Sequence, residues 1–465
     1  MSTGRAGPGG IGDDPTYAEA LAALQARGRF GIRLGLGRVR ALLHAMGDPQ
    51  ATVPGALVAG TNGKGSVIAL AGSALRAAGY RVGETPKPHL VTYRERIVVD
   101  GRPITADDFT RLVGSVLRIA DTATRGLGPA TEFELMTAVM FRHFADSGLD
   151  LALVEVGLGG RLDATNVWDG GVAALTNVAL DHTEYLGPTI GAIAREKVKI
   201  VKRGDLAVTG ADGEALTILR RRCAGLGVAL MVAPSAPVLG WTRDTLSVDL
   251  PRLGATEIGL RGRHQAANVA IADALLDALD AAGIAKVPDD VRRLGYRDAR
   301  WPGRLELLHV RGGRGGTREV LLDGAHNPAG AAALAAALGD LRPLLAGGDE
   351  TPPSPLVVVW ASMADKDVEG TIAAAARADA LHGATVICTA PALPRALAPD
   401  ALAAAWSRSG VPRLAVRTAP SPDAALDDAM ALGDGPVVLA GSLSLVGAAR
   451  SRLVDDPLLR DPVAA

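Results

Sequence analysis

The run Ala59-Gly60-Thr61-Asn62-Gly63-Lys64-Gly65-Ser66 has the residue types and spacing needed to hold a phosphate. Backbone N–H groups of a glycine-rich turn opening a helix form an anion cradle; a lysine matches phosphate charge, and a hydroxyl can reach magnesium. The run follows an apolar stretch, Ala56 to Val58, and precedes a helical one, so it reads as a strand, a phosphate loop for ATP and a helix. Its spacing departs from the common G-x-x-x-x-G-K-[ST] pattern, because Gly65 separates Lys64 from Ser66 and Val58 replaces the first glycine. It is either a chance glycine-rich turn or a variant loop of the form G-T-x-G-K-x-S/T.

Two further stretches carry chemistry. Val154-Glu155-Val156-Gly157-Leu158-Gly159-Gly160 places a carboxylate at the end of an apolar strand, where burial is unfavourable unless the group finds a cation or backbone donors. A phosphate loop at the same sheet edge favours magnesium ligation by Glu155 over a purely structural role. Asn177 to Gly187 follows another apolar strand and brings His182 to that edge, with Glu196-Lys197 one helix further on. Magnesium prefers oxygen donors, yet the placement favours a ligand role for His182 over a packing one. Lysine occurs only at 64, 87, 197, 199, 202, 286 and 366. Unlike arginine it can become a neutral amine, so Lys64, Lys197 and Lys366 in motif-like settings stand out.

The elements that must position these residues form an α/β pattern. Short Val/Leu strands at 151–156, 172–175, 206–208, 320–322, 356–360, 385–388 and 437–440 alternate with alanine-rich helices, implying doubly wound, mostly parallel sheets with sites at strand C-terminal ends. Residues 17–43 read as helical, and 243–262 as a small antiparallel section. Residues 346–355 read as a surface loop. With 465 residues the chain needs more than one core. We expect a disordered segment at 1–16, a central ATP-binding domain at 17–299 and a smaller Rossmann-like domain at 300–465.

A net charge of −1 disfavours nucleic acid and anionic membrane as partners, and no apolar run reaches spanning length. The Gly/Pro-rich start lacks an apolar leader core, so a cytoplasmic location is expected. Cys223 and Cys388, far apart, suggest packing rather than a disulfide or zinc site.

The ordered motifs together resemble the folylpolyglutamate synthase/dihydrofolate synthase family of the Mur ligase superfamily over residues 17–450. They include Gly60 to Ser66, Pro88-His89-Leu90 with Glu95-Arg96-Ile97, Phe133-Glu134, Glu155 to Gly160, Asp181-His182 and Glu196-Lys197. His264-Gln265 with Asn268, Trp301-Pro302-Gly303-Arg304, Asp323 to Pro328, Asp365-Lys366-Asp367, Pro394-Arg395 and Gly441-Ser442-Leu443 complete the series.

The resemblance implies ATP-dependent, ADP-forming ligation of L-glutamate to dihydropteroate, to a folate, or to both, through an acyl phosphate, by a monomer. It implies that Gly60, Thr61, Asn62, Gly63, Lys64, Gly65 and Ser66 hold the phosphates, with Lys64 at the β/γ positions and Asn268 on the nucleotide. Ser66 and Glu155 would hold one magnesium, and His182 with Lys197, carboxylated to a carbamate, a second. Arg304 would reach the γ-phosphate, while Asp323 and His326 would close on nucleotide and reaction centre from the second domain. The family's substrate loop usually reads T-S-P-H-L, whereas here it reads Thr85-Pro86-Lys87-Pro88-His89-Leu90. That departure leaves open a related ligase for a non-folate carboxylate. A non-catalytic nucleotide-binding protein is the alternative of another class, disfavoured by the intact motif residues.

Overall fold

The computed structural model describes residues 15–31, 33–311, 316–347, 354–433 and 435–462. Residues 1–14 of the expected disordered segment, and 348–353 of the expected surface loop, lie outside these. Pro15 and Thr16 are placed, and Thr16 caps the helix Tyr17–Ala26 in a reciprocal capping box with Glu19.

The strands, in chain order, are β1 Gly55–Ala59, β2 Val82–Glu84, β3 Val98–Val99, β4 Arg102–Pro103, β5 Leu151–Glu155, β6 Gly171–Leu175, β7 Leu206–Thr209 and β8 Ala229–Val232. They continue with β9 Val238–Trp241, β10 Leu246–Leu250, β11 Gly254–Ile258, β12 Glu306–Arg311, β13 Thr317–Leu322, β14 Val357–Trp360, β15 Thr385–Cys388, β16 Ala415–Thr418 and β17 Val437–Ala440.

Contacts divide the chain into two compact units, the first comprising residues 1–234, 270–295 and 457–465, the second 235–269 and 296–456. The antiparallel section, expected within 17–299, thus clusters with the second unit, and residues 457–465 with the first.

The first unit is built on one sheet of order β4-β3-β2-β5-β1-β6-β7-β8. From β2 to β8 neighbours run parallel, and β3 and β4 add an antiparallel edge. Every residue of β1 and β5 is buried, the expected state of strands covered on both faces. Their register aligns Val58 with Glu155, so the ends of both strands open onto the same edge. The expected helix over 17–43 is instead two, Tyr17–Ala26 and Gly37–Ala45, separated by glycines at positive φ.

The second unit holds a three-stranded antiparallel sheet, β11-β10-β9, and a six-stranded one of order β12-β13-β17-β14-β15-β16. Only β12 is antiparallel in the latter. Its core packs Trp360 edge-on to Trp406. No helix among the described residues is long and apolar enough to cross a membrane. Cys223 and Cys388 are both buried and unbridged, the packing role expected of them.

Candidate active site

The phosphate loop lies between β1 and the helix Lys64–Ala77. Gly63 caps that helix in the left-handed conformation without any side-chain cap, leaving its first N–H groups to meet an anion. Gly60 has φ +151°, and a Cβ there would fall 1.8 Å from Thr176 Oγ1, so only glycine lets the loop turn this tightly. The segment after β6 braces the loop: Thr176 Oγ1 donates to Asn62 O at 2.7 Å, Asn62 N–H to Asn177 Oδ1 at 3.0 Å, and Thr61 Oγ1 to Ala179 O at 3.2 Å. Sequence reasoning did not single out Thr176 and Asn177; the end of a strand beside a phosphate loop was the available signal.

Lys64 curls over its own loop, donating to Gly60 O at 3.2 Å and Thr61 O at 3.1 Å, and its ammonium is 3.7 Å from Glu155 Oε1. Lys197 reaches the same point from the helix Ile190–Lys197, its Nζ donating to Gly60 O at 2.8 Å. It is 6% exposed, and burial, then the neighbouring Lys64 charge, bring its pKa down to about 7. Gly60, Lys64, Glu155 and Lys197 are therefore gathered by the fold as the sequence suggests, and Ser66 is buried at the head of the helix.

His182 sits differently. Its backbone is left-handed, its side chain is 42% exposed, and its Nε2 is 3.9 Å from Asp181 Oδ2. Among the described residues no three His, Cys, Asp or Glu side chains form a group able to hold a metal. The expected set Ser66, Glu155, His182 and Lys197 holds only two side chains of those four types. Magnesium rarely needs a closed cage, since a carboxylate, phosphate oxygens and water complete its shell.

Lys87 comes to the site from the loop after β2. Its N–H donates to Glu155 Oε2 at 3.1 Å and its ammonium to Glu155 O at 2.5 Å, 4.8 Å from the Phe133 ring centroid. Burial lowers its pKa to about 8, with Asp163 and Glu155 opposing.

Phe133 also walls a cavity of about 360 Å³, lined by Thr131 to Glu134, Gly157, Leu158, Leu162, Asp163, Ala164 and residues around Arg33. One oxygen of Glu134 accepts from Arg38 Nε at 3.0 Å and from Thr131. The other, Oε1, is buried without a partner.

Within the second unit, Asp323 follows β13 and accepts from the N–H groups of Leu305 and Ala325, both at 2.9 Å. Burial raises its pKa, with the Arg304 charge opposing. Arg304 lies over Gly324, where a Cβ would meet Nη1 at 2.0 Å. His326 Nδ1 is 2.8 Å from Gly324 O, a partner that can only accept, so that nitrogen carries the proton. Asn327 caps the helix Pro328–Leu341. Asn268 Nδ2 donates to Gln265 Oε1 at 2.8 Å at the start of the helix Gln265–Ala281.

Residues 58–276 match the Mur ligase middle domain, and residues 303–443 the glutamate ligase domain of Mur ligases. The chain is 34% identical to a Mycobacterium tuberculosis dihydrofolate synthase/folylpolyglutamate synthase over 91% of this chain and 90% of that one. It is 33% identical to a Lacticaseibacillus casei folylpolyglutamate synthase over 94% and 99%. A Halobacterium salinarum relative named as a probable bifunctional folylpolyglutamate synthase/dihydropteroate synthase is 35% identical, and the chain spans 51% of its length. The solved Mycobacterium tuberculosis folylpolyglutamate synthase, complexed with ADP, superposes with a TM-score of 0.80 at 32% identity, covering 95% of this chain and 100% of that one. With both ligase domain models matched in order and relatives aligned along nearly its whole length, the chain belongs to the folylpolyglutamate synthase/dihydrofolate synthase family of Mur ligases.

Proposed function

We propose that the protein is an ADP-forming carboxylate–amine ligase that joins L-glutamate to dihydropteroate, to a reduced folate, or to both. The observation that carries this reading is the convergence of Lys64, Lys197 and Glu155 on the Gly60 turn at the paired ends of β1 and β5. In the reaction an acceptor carboxylate oxygen attacks the γ-phosphorus, the bond to ADP breaks, and the amine of glutamate then displaces phosphate from the acyl phosphate. Joining two anions needs fixed positive charge, which Lys64 and the uncapped helix N-terminus provide from this unit.

The donors fit magnesium: Ser66 and the Glu155 carboxylate are hard oxygen ligands, and Glu155 lies within 3.7 Å of the phosphate-loop lysine. When bound, the ion would neutralise charge on the transferred phosphoryl group. Lys197 is suited to become a carbamate, because a pKa of about 7 leaves a substantial neutral amine to react with carbon dioxide, releasing a proton. His182 would assist at a second ion. We assign Arg304 to the γ-phosphate, Asn268 and Asp323 to the nucleotide, and His326 to the reaction centre.

The cavity beside Phe133 suits the flat, N–H-bearing ring system of a pteroate or folate. The related Escherichia coli structure described as a complex with DHPP and ADP, 28% identical with a TM-score of 0.77, is consistent with such an acceptor. We infer a soluble, cytoplasmic monomer that uses small-molecule substrates and binds no nucleic acid.

The test is ADP release by purified protein with Mg-ATP, glutamate and either dihydropteroate or tetrahydrofolate. Release with at least one acceptor, dependent on glutamate, is expected. ADP release with neither, but with a non-folate acid, would transfer the reading to another acceptor class.

A further inference from the structure

We propose that Lys87 contacts the reacting carboxylate of the acceptor and holds it between the cavity and the phosphate loop. This inference deepens the acceptor reading above and rests on it.

A chain of side-chain contacts links the cavity wall to the phosphate loop. Phe133 walls the cavity, the Lys87 ammonium lies 4.8 Å from its ring centroid and 2.5 Å from Glu155 O, and the Glu155 carboxylate lies 3.7 Å from Lys64 Nζ. An acceptor with its ring system in the cavity and its carboxylate at the γ-phosphate must pass the Lys87 ammonium. That ammonium has three N–H donors, and Glu155 O takes one.

The electrostatics favour the same assignment. Two of the three carboxylates lining the cavity are paired with arginines, Glu134 with Arg38 and Glu132 with Arg96, so neither arginine is left over to meet an anionic acceptor. Arg33 lines the cavity but is exposed. Lys87 brings a charge to the inner end, where the usual serine of the loop would bring only a hydroxyl.

The side chain is also built into its surroundings. Glu155 N–H donates to the buried Thr85 Oγ1 at 2.7 Å, and Lys87 N–H donates to Glu155 Oε2 at 3.1 Å. These two bonds tie the loop to the end of β5, so the ammonium needs little reorganisation to meet its ligand.

The experiment measures equilibrium binding of dihydropteroate and of its carboxamide to wild type, Lys87→Met, Lys87→Gln and Lys87→Arg in the presence of a non-hydrolysable ATP analogue. Wild type should prefer the acid by about 10- to 100-fold, the range of one charge-assisted contact. Lys87→Met should reduce that preference below about threefold while amide affinity stays constant, and Lys87→Arg should restore part of it. In steady state, KM for the acceptor should rise by a similar factor with KM for ATP within about twofold. Lys87→Gln keeps a donor for Glu155 O, so it gives the same readout if Lys87→Met disturbs folding. An active wild type whose acid preference survives in Lys87→Met and Lys87→Gln overturns the role of Lys87 alone. A wild type inactive with every pteroate and folate acceptor removes the acceptor reading, and this inference with it.

Discussion

Replacing Lys197 by methionine should abolish turnover and yet make the protein more stable. Lys197 is 6% exposed, and its closest charged neighbour in effect is another cation, Lys64. A fall in pKa from 10.5 to about 7, at about 1.36 kcal/mol per pH unit, corresponds to about 5 kcal/mol of unfavourable burial at neutral pH. Methionine is close in length, so no large void results, and Gly60 O keeps the Lys64 donor at 3.2 Å. Subtracting about 1 kcal/mol for the lost Lys197 hydrogen bond, and discounting for relaxation, leaves a net gain of about 2–4 kcal/mol.

The pH dependence checks the cause. Between pH 7 and 10.5 the unfolded lysine binds more proton than the folded one, so wild-type stability rises with pH across that window. The advantage of Lys197→Met should be largest at or below pH 7 and vanish near pH 10.5. Urea unfolding of both proteins in carbon-dioxide-free buffer at pH 7, 8 and 9 measures this. A variant that is less stable by about 1 kcal/mol or more, a pH-independent difference, or a Lys197→Met enzyme with near-normal turnover would refute the reasoning.

Lys64→Ala should reduce kcat/KM by about 10²- to 10³-fold, read by ADP release, since it removes the charge that both phosphate and Glu155 meet. Gly60→Ala forces a Cβ against Thr176 Oγ1 at 1.8 Å and should abolish nucleotide binding by calorimetry, with Thr176→Ala restoring part of it. His89 accepts from Arg96 Nε at 2.8 Å, and burial brings its pKa down to about 3. Stability should therefore fall as pH drops from 6.5 towards 3, and His89→Gln should flatten that acid limb in urea titrations. Asp461→Ala should destabilise the first unit by about 1–3 kcal/mol in urea unfolding, because the buried Arg94 guanidinium keeps only its carbonyl partners.

What could be read from the chain follows from how local each signal is. The phosphate loop and the strands 151–155 and 437–440 were legible because buried parallel strands are continuous apolar runs bounded by glycine. Strands β2, β3 and β4 were not, being two or three residues long and set by pairing with β5 and with each other. β16 was missed because Arg417 and Thr418 make it exposed and polar. Glu155 at a strand end and Lys197 one helix beyond the next strand came together as the sequence suggested, whereas the left-handed backbone and exposed side chain of His182 are not revealed by composition. The Lys87 contact with Glu155 joins residues distant in sequence, so only the folded chain displays it.

The guanidinium of Arg94 is satisfied by Asp461 and by the carbonyls of Leu458 and Arg460, and Thr92 also donates to Asp461 at 2.6 Å. The same unit needs residues 270–295, which follow an excursion through the other one. Vectorial synthesis therefore cannot finish this unit first: its scaffold emerges early, but the clasp on Arg94 closes only after residue 461 has left the ribosome. During that interval water stands in for the partners of Arg94, and the early scaffold lacks the contacts that the last residues of the unit bring to it.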